Sequence, residues 1–131
     1  MFLDASALTA MLGDEEDARV LLTRMQAHAE RRTSPLAVWE ASVALARILA
    51  IPPAEALGVV EEFLSLTGVS IDPVPAEAHR LALQAWATYG KGRHPAALNF
   101  GDCFAYACAR LAGEPLLYKG DDFPRTDIAP A

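Results

Sequence analysis

Short apolar stretches and longer amphipathic ones alternate along this chain. Met1–Leu3 reads as the start of a strand, and after Asp4-Ala5-Ser6 an apolar run, Ala7–Leu12, is broken by Gly13. Asp14–Asp17 then open a helix with acids in its first turn, where the helix dipole favours them, and Ala18, Leu21, Leu22 and Met25 keep helical spacing. A second strand ends near Thr33. The stretch SPLAVWEASVALARILA has a capping serine, Pro35 at the first helical position, and apolar residues at 36, 39, 43, 46 and 50 that predict its buried stripe. Residues 54–67 form another amphipathic helix, and GVSIDPV a short strand. A helix over Ala76–Tyr89 carries Leu81, Ala82, Ala85, Trp86 and Tyr89 on one side and stops at Gly90. After the loop GKGRHPAAL, Asn99 caps a helix whose predicted stripe is Phe100, Cys103, Phe104, Ala107, Cys108 and Leu111. Gly113 ends it, and Pro115–Tyr118 is the last strand.

Strands that alternate with helices, joined by connections too long for hairpins, predict an α/β fold. The expected architecture is a three-layer α/β/α sandwich around a short, mainly parallel sheet. No repeat, low-complexity segment or linker divides residues 1–131, so one domain is expected. No apolar stretch is long enough to cross a bilayer, and MFLDASAL lacks the basic region that begins a signal peptide. Cys103 and Cys108 form no CxxC or Cys/His cluster of the kind that binds zinc. They read as reduced, buried thiols, and a cytoplasmic protein is expected.

Charge changes the picture. The net charge is −6, which argues against nucleic-acid binding through a basic face. One route stays open: carboxylates that hold divalent cations can still bind a phosphodiester through them. Four acids lie where such a site would form. Asp4 follows the first strand, Glu40 lies in the helix after the second, Asp102 is in the first turn of the helix capped by Asn99, and Asp121 follows the last strand. In a parallel α/β layer those positions share the edge where ligands bind. Two carboxylates about 5 Å apart repel by roughly 3 kcal/mol at an effective dielectric near 20, so four would take up protons or demand a cation. All-oxygen ligands suit Mg2+ or Mn2+.

Each acid also has a plainer reading. Asp4 and Ser6 suit an Asx-turn or cap, Glu40 a solvated helix face, Asp102 a capping role three residues after Asn99, and Asp121-Asp122 a turn. Their conjunction on one rim carries the metal-site reading. Lys91 and Arg93, with Lys119, are the local cations available to guide a phosphate backbone, against the plainer reading of a solvated loop. Trp39 and Trp86 fit helical stripes and are expected to pack inside.

FLDASAL, SPLAVWEASVAL, LNFGDCFAYACA and LLYKGDDFPRTDI, in this order and at these spacings, resemble the PIN-domain toxins of the VapC type. The resemblance runs from Met1 to about Ile128. It implies a Mg2+-dependent endoribonuclease that leaves 5′-phosphate and 3′-hydroxyl ends. Asp4 and Asp102 match its principal metal-binding carboxylates, Glu40 and Asp121 its second and fourth acids, and Ser6 and Asn99 its supporting polar groups. It also implies a VapB-type antitoxin partner and homodimers. The chain departs from the pattern in one place: Lys119 stands where many PIN domains have Thr or Ser. Asp122 follows Asp121 immediately, which leaves the roles of these two open. The alternatives are a non-catalytic PIN-like binding module and another metal-dependent phosphoesterase. A dehalogenase-like phosphatase would want an acid where Ser6 stands, and a receiver domain fits poorly because Glu40 lies on a helix.

Overall fold

The computed structural model describes residues 1–131. The chain runs β1 (Phe2–Leu3), α1 (Ala5–Leu12), α2 (Ala18–Gln26), β2 (Arg31–Thr33), α3 (Pro35–Ile48), α4 (Pro53–Thr67), β3 (Val69–Ile71), α5 (Ala78–Tyr89), α6 (Phe100–Ala112) and β4 (Leu116–Leu117), with a 3-10 turn at Phe123–Arg125. All strand pairs are parallel, in the order β3-β2-β1-β4. From β1 the chain builds outward through β2 and β3, then returns to place β4 on the free side of β1. The order therefore reverses between β1 and β4, and an open parallel sheet has its ligand crevice beyond the strand ends at such a point.

The strands are two or three residues long, yet they divide the core in two. Successive side chains on a strand point to opposite faces. Phe2 and Leu116 join a cluster with α5 and α6, while Leu3 and Leu117 join the cluster built on α1–α4. The register pairs Phe2 with Leu116 and Leu3 with Leu117, so both strands change face together. This gives the three layers the sequence predicts. Thr33 is buried at the end of β2, and its Oγ1 donates to the Leu3 carbonyl at 2.9 Å, fastening β2 to β1.

The helix ends follow their local signals. Ser34 accepts from the Ala37 amide, with Pro35 in the first turn of α3. Gly113 ends α6 at φ +67, a left-handed conformation that glycine adopts without steric penalty.

The buried faces are where expectation and structure part. The face of α3 inside the protein is Ala37, Val38, Ala41, Ser42 and Leu45, and not the stripe at 36, 39, 43, 46 and 50. Three of the five buried residues are small, and they let α3 lie close between α1 and α4, while Val38 and Leu45 fill the remaining space. Trp39 is pushed outward and is 66% exposed. Trp86 is also partly exposed, with the Arg93 guanidinium 4.1 Å from its ring centre. On α6, Phe100 and Leu111 are exposed, whereas Cys103, Ala107 and Cys108 are buried as expected. Burial pushes both thiols up to about 11, which keeps them protonated and unreactive.

Leu3 is fully buried between the sheet and α1–α4. Leu3→Ala is expected to cost about 3 kcal/mol of unfolding free energy, measured by urea denaturation. A loss under about 1 kcal/mol would contradict this placement of the core.

Candidate active site

β1 ends at Leu3, so Asp4 sits at the strand's C-terminal edge as the N-cap of α1. Its Oδ2 accepts from the Ser6 amide at 3.0 Å and also from the Ser6 hydroxyl. The hydroxyl in turn accepts from the Lys119 amide at 3.0 Å, just beyond β4. The backbone of Asp4 donates to the Leu117 carbonyl at 2.9 Å. Two neighbouring strand ends therefore hold one carboxylate. Capping and site formation, separate readings in sequence, are here the same geometry.

Asp102 shows the same economy. Its backbone donates to Asn99 Oδ1 at 3.0 Å, and its Oδ2 accepts from the Asn99 amide at 2.9 Å. This capping box locks the first turn of α6 and fixes the Asp102 side chain at the cleft.

Glu40 comes from α3 and reaches the site over Gly101. A Cβ on Gly101 would lie 2.1 Å from Glu40 Oε1, so the carboxylate occupies the space that any side chain at 101 would fill. The sequence carries a signal for this residue: glycine inside a helix costs about 1 kcal/mol relative to alanine, so a glycine beside Asp102 needs a reason. The sequence reading had passed over it.

These acids line an open cleft of about 420 Å³ with Ser6, Thr9 and Asn99. Glu15 lines it as well, although the acidic run that contains it reads only as a helix start. The single cation in the lining is Lys119, and its ammonium pairs with Glu15. No lysine or arginine forms an ion pair with Asp4, Glu40 or Asp102.

Two consequences follow for protonation. Burial drives the Asp4 carboxyl above its ordinary range, against the pull of the Ser6 hydrogen bonds. Glu40 is pushed up to about 7, first by burial and then by the charges of Asp4 and Asp102. Asp102 is pushed up to about 6, chiefly by burial, with the Asn99 amide pulling down and Asp4 and Asp122 pushing up.

Asp121 is exposed and does not line the cleft. Asp122 is exposed too, but its charge is felt at Asp102. Gly120, at φ +104, turns the chain between Lys119 and these acids. Lys91 and Arg93 are exposed and lie outside the cleft lining. No three acidic, histidine or cysteine side chains approach closely enough to clasp an ion in this arrangement.

The PIN domain family matches residues 1–129. Ribonuclease VapC30 of Mycobacterium tuberculosis is 40% identical over 129 residues, covering 98% of this chain and 96% of that protein. Ribonuclease VapC of Mycolicibacterium smegmatis is 40% identical over 129 residues, covering 98% of each. Ribonuclease VapC42 of M. tuberculosis is 38% identical over 132 residues, covering 100% of this chain and 98% of that protein. The chain therefore belongs to the PIN-domain family, and within it to the group of VapC ribonucleases. The crystal structure of M. tuberculosis VapC20, titled a sarcin–ricin loop cleaving toxin, superposes with a TM-score of 0.76. It covers 99% of this chain and 97% of that one at 18% identity, a likeness of fold.

The raised carboxyls predict a pH effect. A carboxyl with a raised folded pKa gives stability that is full below its unfolded value, 4.5 for Glu40, and lost as pH rises through about 7. In EDTA, Glu40→Gln is expected to melt at a higher temperature than the unsubstituted protein near pH 8, and the difference should vanish near pH 4, below the unfolded value. An equal difference at both pH values, or a reversed one, would show that Glu40 is not destabilised by its surroundings.

Proposed function

We propose that the protein is a Mg2+-dependent endoribonuclease, the toxin of a VapBC pair, with Asp4, Glu40 and Asp102 as its principal metal-binding acids. The observation that carries this is the meeting of these carboxylates at the sheet's switch point with no protein cation paired to any of them. An all-oxygen set of desolvated, mutually repelling acids suits a hard divalent cation such as Mg2+ or Mn2+ and not zinc or copper. Asp122, whose charge reaches Asp102, is the better placed of the two late acids to serve as the fourth carboxylate. Asp121 is then a residue of the turn.

A bound divalent ion supplies positive charge to the transferring phosphoryl group and acidifies water for in-line attack. The protein's own residues do the positioning. Ser6 and the Lys119 amide hold Asp4 in one rotamer, and the capping box holds Asp102. Gly101 admits Glu40. RNA is the substrate. The partners are a VapB-type antitoxin that occludes the cleft and a second copy of the chain in a cytoplasmic homodimer. No helix is long and apolar enough to cross a membrane.

Asp4→Asn and Asp102→Asn are each expected to lower Mg2+-dependent RNA cleavage by at least about a hundredfold and to relieve growth arrest on expression, with the fold intact by circular dichroism. Full toxicity in both variants, or wild-type cleavage indifferent to EDTA, would sink the reading. Gly101→Ala separates stability from function. The added Cβ displaces Glu40, so cleavage should fall about tenfold or more, while stability holds or rises by up to about 1 kcal/mol because alanine favours the helix. Unchanged activity in this variant would remove Glu40 from the mechanism.

A further inference from the structure

Lys119 is the only positive side chain lining a cleft that also holds four acids, and it is bound to the one acid that the metal-site reading leaves unused. Its ammonium pairs with Glu15, and Asp17 lies further off at 3.9 Å. The two ends of this pair are held very differently from their charged tips. The Lys119 amide is fixed to Ser6 Oγ, one link from Asp4, so its side chain swings from a point beside the reacting centre. Glu15 sits in the α1–α2 turn, pinned by its amide to the Ala10 carbonyl at 3.1 Å and by its own carbonyl to the Ala18 amide at 2.9 Å. The two side chains are 33% and 32% exposed, so water and other anions can compete for their charges, and a pair of this kind is easily exchanged.

We propose that Lys119 is the cleft's phosphate-binding residue and that Glu15 holds its ammonium when no RNA is present. This rests on the ribonuclease reading and adds a substrate contact to it. An incoming phosphodiester offers the ammonium the same ligand chemistry as the Glu15 carboxylate, a negatively charged oxygen pair, from inside the cleft. The exchange leaves Glu15 unpaired but exposed to water. Lys119 then neutralises a phosphate that would otherwise be repelled by Asp4, Glu40 and Asp102.

A purely structural tie between the α1–α2 turn and the β4 loop makes a different prediction. Losing either partner of a tie has effects of the same sign, whereas losing a competitor and losing a ligand have opposite signs. The probe is a fluorescein-labelled single-stranded RNA of about twenty nucleotides, read by anisotropy with Ca2+ replacing Mg2+. Lys119→Met is expected to weaken binding about tenfold and Lys119→Arg to keep it within about twofold. Glu15→Gln should tighten binding about threefold or more, and the double variant should behave as Lys119→Met. The salt dependence of binding should also fall by about 0.7 in log–log slope for Lys119→Met, one phosphate contact on a single strand. Shifts in the same direction for Glu15→Gln and Lys119→Met, or no shift in either, overturn the proposal. If the wild-type protein still cleaves RNA with Mg2+ in that case, the ribonuclease reading stands without it. Opposite shifts in a wild-type protein that does not cleave would keep Lys119 as a phosphate contact and remove the ribonuclease reading. A wild-type protein that binds no RNA overturns both.

Discussion

Asp4 is a carboxylate 5% exposed with no cation beside it, and the arrangement of the site depends on how it is held there. A buried charge without a partner is costly, and it survives only where hydrogen bonds are fixed around it. The Ser6 amide and hydroxyl supply those bonds, and the Lys119 amide orients the hydroxyl. The remaining cost is not relieved by the protein. On the metal-dependent reading proposed above, that cost would be the source of the cleft's affinity for a cation, because an ion that binds the folded state and not the unfolded chain returns energy as stability.

The same constraint explains why strands of two residues suffice. β1 and β4 need only be long enough to bring Asp4 and Lys119 side by side, and the bond from the Asp4 amide to the Leu117 carbonyl does so. Hydrophobic layers on both faces keep those short strands in register, through Phe2 and Leu116 on one side and Leu3 and Leu117 on the other. The small residues of α3 belong to this design. Ala37 and Ala41 let the helix lie close to the body of the protein, and that closeness carries Glu40 onto the strand ends over the bare Cα of Gly101. Packing density and chemistry are set here by the same few small side chains.

The positions of Asp4, Glu40 and Asp102 were legible because they depend on topology. Once strands and helices alternate in a parallel layer, a residue just past a strand or early in the next helix must lie on the ligand edge. What was not legible depends on local closeness. Three of the five buried positions of α3 are alanine or serine, so a search for large apolar residues finds the opposite side. Trp39 and Phe100 read as core by spacing and are exposed, since hydrophobic spacing says nothing about how near a neighbour stands. Gly120 turns the chain at a positive φ just after Lys119, and both Asp121 and Asp122 lie outside the cleft lining, which strand-end spacing does not reveal. Gly101 left a trace in its low helix propensity. Glu15 left none, because its partner is 104 positions away.

The sign of the protein's charge also takes on a mechanical meaning. Three of the eleven lysines and arginines are tied up within the fold. Arg31 donates to the Met25, His28 and Thr67 carbonyls, Arg32 pairs with Glu30, Asp72 and Glu114, and Arg110 pairs with Asp127. With a net charge of −6, long-range attraction for a polyanion cannot come from the surface as a whole. On the metal-dependent reading proposed above, attraction would centre on the cleft and depend on cations held there, so ion binding and RNA binding would favour one another by the same factor. An acidic nuclease built this way has little affinity for RNA where its cleft carries no cation. Its affinity resides at the atoms where cleavage occurs, so binding and chemistry are governed by one set of carboxylates.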